Sequence, residues 1–258
     1  MSEFLLEIEH LRKAFGALVA TDDVTLGIRK GETHALIGPN GAGKTTLVGQ
    51  LTGELRPDAG RIMFDGRDIT ELSTARRARL GLARSFQITS IFDNFTAEGN
   101  VALAVQATER HSFRFWQPAE RIARLRLPAR RLIADVGLSP LGNLIASRMS
   151  HGQHRQLELG MALATHPIML LLDEPMAGLG IEESRAMSKL LASLKRQYTI
   201  LLIEHDMDAV FSLADRISVL VGGRIVASGT ADEIRNHPGV RVAYLGEDDD
   251  AGDFRADG

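Results

Sequence analysis

The apolar run His34-Ala35-Leu36-Ile37 feeds straight into Gly38-Pro39-Asn40-Gly41-Ala42-Gly43-Lys44-Thr45, and no other stretch constrains the chain as tightly. From Lys44 the spacing turns helical, with Leu47, Val48 and Leu51 on one face until Gly53 and Pro57 stop it. The octet fits the phosphate-loop pattern G-x-x-x-x-G-K-[ST] in the context it needs, a buried strand entering and a helix leaving. Glycines let the backbone wrap so that successive N–H groups point inward as a concave anion site. The helix that follows adds its positive end. Lys44 brings a full charge to the β- and γ-phosphates and Thr45 a hydroxyl for Mg²⁺. The expected phosphate-binding residues are therefore Gly38, Pro39, Asn40, Gly41, Ala42, Gly43, Lys44, Thr45 and Thr46. The bland alternative is a Gly-rich turn between strand and helix.

A chain of 258 residues, at ~150 residues per domain, is one large domain or one domain with a subdomain. Strand patterns at Leu5–Leu11, Val24–Ile28 and Arg61–Phe64 precede a long middle, roughly residues 86 to 164, that reads as several helices. Strands return at Ile168–Leu172, Thr199–Glu204, Ile217–Val221 and Arg224–Ala227, with helical patterns between the first three. Such alternation implies a parallel α/β sheet, here interrupted by a helical insertion. The acidic, small-residue tail from Glu247 to Gly258 is expected to be disordered. With no cysteine in the chain, a disulfide scaffold, a Cys-ligated metal and a Cys nucleophile are excluded. A net charge of -3 offers no global attraction to nucleic acid. No apolar run approaches the ~20 residues of a membrane span, and the start Met-Ser-Glu-Phe-Leu-Leu-Glu lacks a basic n-region with a long apolar stretch. The expected location is cytoplasmic, with any membrane connection made through a partner.

A second chemical signal closes the strand Ile168-Met-Leu-Leu-Leu172, which ends abruptly in Asp173-Glu174-Pro175. Acids delivered at the C-terminal end of a buried parallel strand stand where α/β sheets bind ligands. Asp173 suits a Mg²⁺ shell, and Glu174, one residue on, can polarise an attacking water as general base. Two solvated acids at a strand exit is the alternative, weakened by the phosphate loop upstream.

Together these residues resemble the ATP-binding subunits of ABC transporters. Between the two nucleotide motifs stands Met149-Ser150-His151-Gly152-Gln153, similar to that family's L-S-G-G-Q signature. The resemblance implies a P-loop NTPase fold of ABC type: a mixed/parallel sheet core, an antiparallel N-terminal β part and a helical subdomain insertion. It implies a head-to-tail dimer in which Ser150, Gly152 and Gln153 bind the γ-phosphate held by the opposite subunit. Ser150 with Gln153 three residues on is also a capping box, and both readings can hold. His151 departs from the pattern, where Gly is usual, and so does Gly180 in Ala177-Gly178-Leu179-Gly180, where the family has an Asp. By position, Gln87 matches the glutamine that reaches metal or water, and His205 the histidine that contacts the γ-phosphate. Phe15 matches an aromatic stacked on adenine, a core role for the ring being the competing reading. Glu204-His205-Asp206 makes a poor chelate, because neighbouring side chains on an extended strand alternate faces.

The resemblance spans about residues 4 to 247: a core of 4–86 and 165–230, a helical subdomain of about 87–164 and C-terminal helices at 231–246, with 248–258 outside. It is similar above all to importer subunits for branched-chain amino acids and related small amides. The features are the phosphate loop, the Ala-Gly-Leu segment, Ile203-Glu-His-Asp-Met207 and the ending Ala243-Tyr-Leu-Gly-Glu247. It implies ATP and Mg²⁺ as ligands and an ATPase peripheral on the inner face of the membrane. The implied partners are two permease subunits, a second ATPase and, indirectly, a solute-binding protein, with no nucleic acid. A urea or amide importer, a soluble ABC-type ATPase acting on DNA or ribosomes, and a non-hydrolysing regulator are the rival readings. The last is opposed by the intact Glu174. Residues 110 to 131 hold seven arginines with Phe113, Phe115 and Trp116 interleaved. A solvated helical face with tucked aromatics is favoured over an anionic surface site, since Pro128 is expected to break any long amphipathic helix.

Overall fold

A computed structural model describes residues 3–85, 91–108, 123–238 and Val240. The chain forms two compact units: Met1–Lys30, His34–Glu71 and His205–Gly258 make one, and Gly31–Thr33 with Leu72–Glu204 the other.

The first unit opens with a long hairpin, β1 (Phe4–Phe15) and β2 (Leu18–Arg29), turned at Gly16 with φ 60°. Val24, Leu26 and Ile28 alternate inward on β2, the period-2 signal of a half-buried antiparallel sheet, while on β1 Leu6, Ile8 and Leu11 are buried across a register shift between Ile8 and Leu11. After β3 (Thr33–Ile37) and α1 (Lys44–Thr52) come β4 (Ala59–Phe64) and β5 (Arg67–Asp68), completing the antiparallel order β2-β1-β4-β5. The helix α1 stops where Gly53 takes a left-handed φ of 82° and donates its N–H to the Gln50 carbonyl, the glycine C-cap expected there. Strand β3 pairs in parallel with β9 (Arg216–Val221), and β9 antiparallel with β10 (Arg224–Gly229). Ala35, Ile37, Ile217 and Val219 from these strands pack with Val210 of α7 (Met207–Leu213) and Ile234 of α8 (Ala231–Arg235).

In the second unit β6 (Leu82–Ser85), β7 (Met169–Asp173) and β8 (Thr199–Ile203) run parallel in the order β8-β7-β6. Both β7 and β8 are buried almost end to end, which is why they read as continuous apolar runs. Around them lie α2 (Thr74–Arg79), α3 (Ala97–Thr108), α4 (Ala123–Asp135), α5 (His151–Leu163) and α6 (Ile181–Leu194). Pro128 does not break α4, contrary to the expectation from sequence: it lies inside the helix. The ring forfeits one intrahelical hydrogen bond, while Leu125, Ala129 and Ile133, four residues apart, bury one face. Arg124, Arg130 and Arg131 are exposed, as a solvated face requires; Phe113, Phe115 and Trp116 lie outside the described residues.

Two arginines of this face share an inward partner. Glu98 of α3 keeps 10% of its side-chain exposure, and its carboxylate accepts from Arg126 Nε (2.9 Å) and Arg130 Nε (3.0 Å). Burial alone would raise the Glu98 carboxyl, but the two guanidiniums outweigh it and hold it below the usual value of 4.5. A depressed folded-state value means the pair stabilises the protein above the unfolded carboxyl's range and that stabilisation is lost as pH falls through the depressed value. Glu98→Gln should therefore cost about 1–3 kcal/mol near neutrality. Melting curves of the two proteins recorded across pH should converge under acid conditions; a gap that stays constant would remove the ion pair as its cause.

Candidate functional site

In the first unit the phosphate loop leaves β3 through Gly38, which is buried so closely that a Cβ there would lie 2.2 Å from the Leu220 carbonyl oxygen. Gly43, the N-cap of α1, takes φ 104°, and a Cβ would meet the Ala20 carbonyl oxygen at 2.1 Å. Only glycine fits either place. The loop is pinned by the Gly223 N–H on the Ala42 carbonyl (2.9 Å), and Gly223 is itself held by the Asp22 N–H on its carbonyl (2.8 Å). Lys44 Nζ donates to the carbonyls of Gly38 and Pro39, the latter at 3.0 Å. Asn40, Gly41 and Thr45 are exposed, and Pro39 and Thr46 are half-buried. A cationic cradle rimmed by backbone N–H groups is what a polyphosphate needs. His205 is exposed in the same unit, next to Asp206, whose carboxylate caps α7 by accepting from Ala209 N–H (3.1 Å). Among the described residues no group of three or more His, Asp or Glu gathers as a metal cluster.

Phe15 is not in the core. Its side chain is 48% exposed at the end of β1, with Lys13 Nζ 5.6 Å from the ring centroid and itself held to Asp58 at 2.8 Å. The ring therefore keeps a face open to solvent. Phe15→Ala should leave the melting curve within about 0.5 kcal/mol of wild type. It should cost about 1–3 kcal/mol of nucleotide binding if the ring stacks. Unchanged ATP affinity by calorimetry would take Phe15 out of the site.

In the second unit β7 delivers Asp173 half-buried and then breaks off. Glu174 takes a left-handed φ of 50° and is exposed, with its N–H tied to the Ile203 carbonyl at 2.9 Å. A non-glycine residue in that region is strained and held there by its surroundings. Part of the hold comes from Glu204, 1% exposed, whose carboxylate accepts the Met176 N–H at 2.9 Å. From sequence Glu204 stands at the end of the apolar strand Thr199–Glu204 and within the run Ile203–Met207, and neither position signals that it holds this turn.

The signature segment opens α5. Ser150 is the N-cap: its Oγ accepts from Gln153 N–H (3.3 Å), and Gln153 Oε1 accepts from Ser150 N–H (2.9 Å). The capping box is therefore formed. Ser150 Oγ also donates to Glu183 Oε1 of α6 at 2.8 Å. The Ser150 hydroxyl first, then the Gly180 and Gly152 N–H groups and the nearby His151, hold the Glu183 carboxyl below its usual range, against burial, which alone would raise it. A Cβ on Gly152 would lie 2.7 Å from the Glu183 carboxyl carbon, so a side chain there would push the Glu183 carboxylate aside. The departures fall in this same cluster. His151 Nε2 lies 3.4 Å from where a Cβ on Gly178 would stand, and Gly180 N–H donates to Glu183 Oε2 at 3.4 Å as the N-cap of α6. At Gly180 φ is -70° and nothing stands within 4 Å of a Cβ, so the backbone accepts an Asp there. The arrangement shows that the signature's hydroxyl and amide donors converge on one carboxylate. Glu183 was invisible to sequence reasoning because its contact is tertiary. Gln87 and the ending Ala243–Glu247 lie outside the described residues.

Comparison with known proteins agrees with this geometry. Residues 21–177 match the family model described as ABC transporter, and residues 224–250 match the one described as branched-chain amino acid ATP-binding cassette transporter. The chain is 40% identical to the high-affinity branched-chain amino acid transport ATP-binding protein LivG of Salmonella typhimurium, over 96% of this chain and 100% of that protein. It is 38% identical to the corresponding BraF of Pseudomonas aeruginosa, with the same coverage. Among solved structures, the ADP conformation of an ATP-binding cassette of an ABC transporter superposes with a TM-score of 0.83 at 30% identity, covering 95% of this chain and 100% of that one.

Proposed function

This chain belongs to the ATP-binding subunits of ABC transporters, and we propose that it hydrolyses ATP to energise import of branched-chain amino acids or closely related small amides. The observation that carries the substrate class is the match of residues 224–250 to the branched-chain family model. Near-full-length similarity to LivG and BraF, whose names state that transport role, supports it.

Residue roles follow from the chemistry of each group and from the family pattern. The loop from Gly38 to Thr46 cradles the triphosphate, Lys44 neutralises it and Phe15 stacks on the adenine. Glu174 accepts the proton of the attacking water, and Gln87 and His205 contact the water or metal and the γ-phosphate. Thr45 and Asp173 hold Mg²⁺. A threonine hydroxyl on the first turn of α1 and a carboxylate at the end of β7 are hard oxygen donors that fit this ion. Mg²⁺ keeps several water and phosphate ligands, so two protein oxygen donors suffice for it. When bound, Mg²⁺ neutralises charge on the β- and γ-oxygens.

In this reading Ser150, Gly152 and Gln153 receive the γ-phosphate bound by a second ATPase subunit, homotypic or paralogous, in a head-to-tail dimer. ATP closes that dimer, hydrolysis reopens it, and two permease subunits convert the cycle into alternating access for a solute delivered by a binding protein. The ATP-binding domain runs from residue 4 to 247. No helix among the described residues is long and apolar enough to cross a membrane; in this reading the permeases hold the chain at the cytoplasmic face. Purification of the tagged chain in mild detergent tests this. Two integral membrane proteins and a similar ATPase should copurify, and the associated solute-binding protein should bind leucine, isoleucine or valine. Recovery of DNA or ribosomes in their place overturns the importer, and a binding protein selective for urea moves the substrate.

A further inference from the structure

Arg84 plays no part in the roles above, yet it is joined directly to one of them. On β6 it stands in register with Leu171 of β7, and side chains two apart on a strand share a face, so Arg84 and Asp173 emerge on the same side of the sheet. Arg84 Nη2 donates to Asp173 Oδ2 at 2.9 Å, and the two side chains retain only 12% and 16% of their exposure. The neighbours Leu82 and Ala83 on β6, and Leu170, Leu171 and Leu172 on β7, are buried and apolar. Packing alone gives no reason to bring a guanidinium into such a strand pair, because taking it out of water is costly without a charged partner.

We propose that Arg84 is a positioning residue for the metal-binding acid: it holds the Asp173 carboxylate, offsets its charge, and thereby weakens the grip of Asp173 on the divalent cation. This rests on the reading of Asp173 as a Mg²⁺ ligand. A cation approaching that carboxylate meets a fixed positive charge at ion-pair distance, and the poor screening of a nearly buried pair makes the repulsion count. The acid alone is then a weak metal site, so retention of the ion depends on the nucleotide phosphates. The carboxylate meanwhile has a counter-charge whether or not the ion is present.

The test measures Mn²⁺ binding to the full chain by electron paramagnetic resonance at saturating ADP, alongside melting curves without metal. R84Q removes the charge and should tighten Mn²⁺ about tenfold while lowering the metal-free melting temperature, part of which Mn²⁺ with ADP restores. R84K keeps the charge but not the planar fork and should bind Mn²⁺ within about twofold of wild type. Should R84Q not fold, R84M keeps the stem's volume and carries the same expectation. Lower stability with unchanged Mn²⁺ affinity in the neutral variant would make Arg84 a structural ion-pair partner and overturn the proposal. So would an R84K affinity shifted as far as that of R84Q. The parallel variant D173N separates the two readings. If D173N weakens Mn²⁺ binding and R84Q does not tighten it, only the role of Arg84 fails; if D173N changes nothing, the assignment of Asp173 fails with it.

Discussion

Replacement of Lys44 by alanine is expected to lower ATP affinity about tenfold or more, the cost of losing one charge-assisted contact to phosphate, while the protein keeps its fold. In the structure the ammonium rests on the carbonyls of Gly38 and Pro39, at the rim of a loop pinned independently by Gly223 and Ala42. Those backbone bonds, and the close approaches at Gly38 and Gly43, persist without the side chain. The lysine is half-buried rather than packed in the core, so no large cavity is left behind. Calorimetric titration with ATP, paired with a melting curve, checks both halves. Unaltered binding would mean that the backbone cradle carries the affinity alone. A collapsed melting curve would mean that the ammonium is a strut of the loop.

The parts of this molecule legible from sequence are those whose requirement is local. The phosphate loop could be read because the φ of 104° at Gly43 and the tight approach at Gly38 demand glycine at fixed spacing from Lys44, whatever the rest of the chain does. Strands β7 and β8 could be read because burial on both faces leaves an unbroken apolar run. Strand β6 escaped notice for the opposite reason: it is four residues long and carries Arg84, and its membership of the sheet depends on a partner about ninety residues away in sequence. Helix α4 misled because the proline rule is a statement about one hydrogen bond. Three buried residues at four-residue spacing outweigh that loss here. At the site the same division holds. Asp173 and Glu174 announce themselves at a strand end, whereas Glu183 and Glu204 act through contacts with Ser150 and Met176 that no spacing encodes. The two departures from the family pattern, His151 in the signature and Gly180 in the segment after Glu174-Pro175, look unrelated along the chain. Folding brings both beside one carboxylate, so their combined effect on that carboxylate is a tertiary property.

Glu174→Gln is expected to leave ATP binding and ATP-driven association intact while turnover falls about a hundredfold or more, the range for loss of a positioned general base. The amide has the shape of the acid but cannot accept the water's proton, so the substitution separates holding ATP from cleaving it. The structure explains why the fold should not notice the change. Glu174 is exposed, and its left-handed backbone is held by its own N–H on Ile203 and by the following turn, which Glu204 secures through Met176. None of these contacts uses the Glu174 side chain. Single-turnover hydrolysis in the variant, measured beside nucleotide affinity, is the deciding measurement. Wild-type hydrolysis would show that another residue organises the water. Loss of binding together with turnover would instead place Glu174 among the groups that hold the nucleotide. The companion change Glu204→Gln distinguishes the base from its support. It leaves an oxygen that can still accept the Met176 N–H, so any loss of turnover there should be smaller than at Glu174 and should track the melting temperature. A base acts on the water whatever the protein's stability, so only at Glu174 should activity vanish from a protein that melts as before.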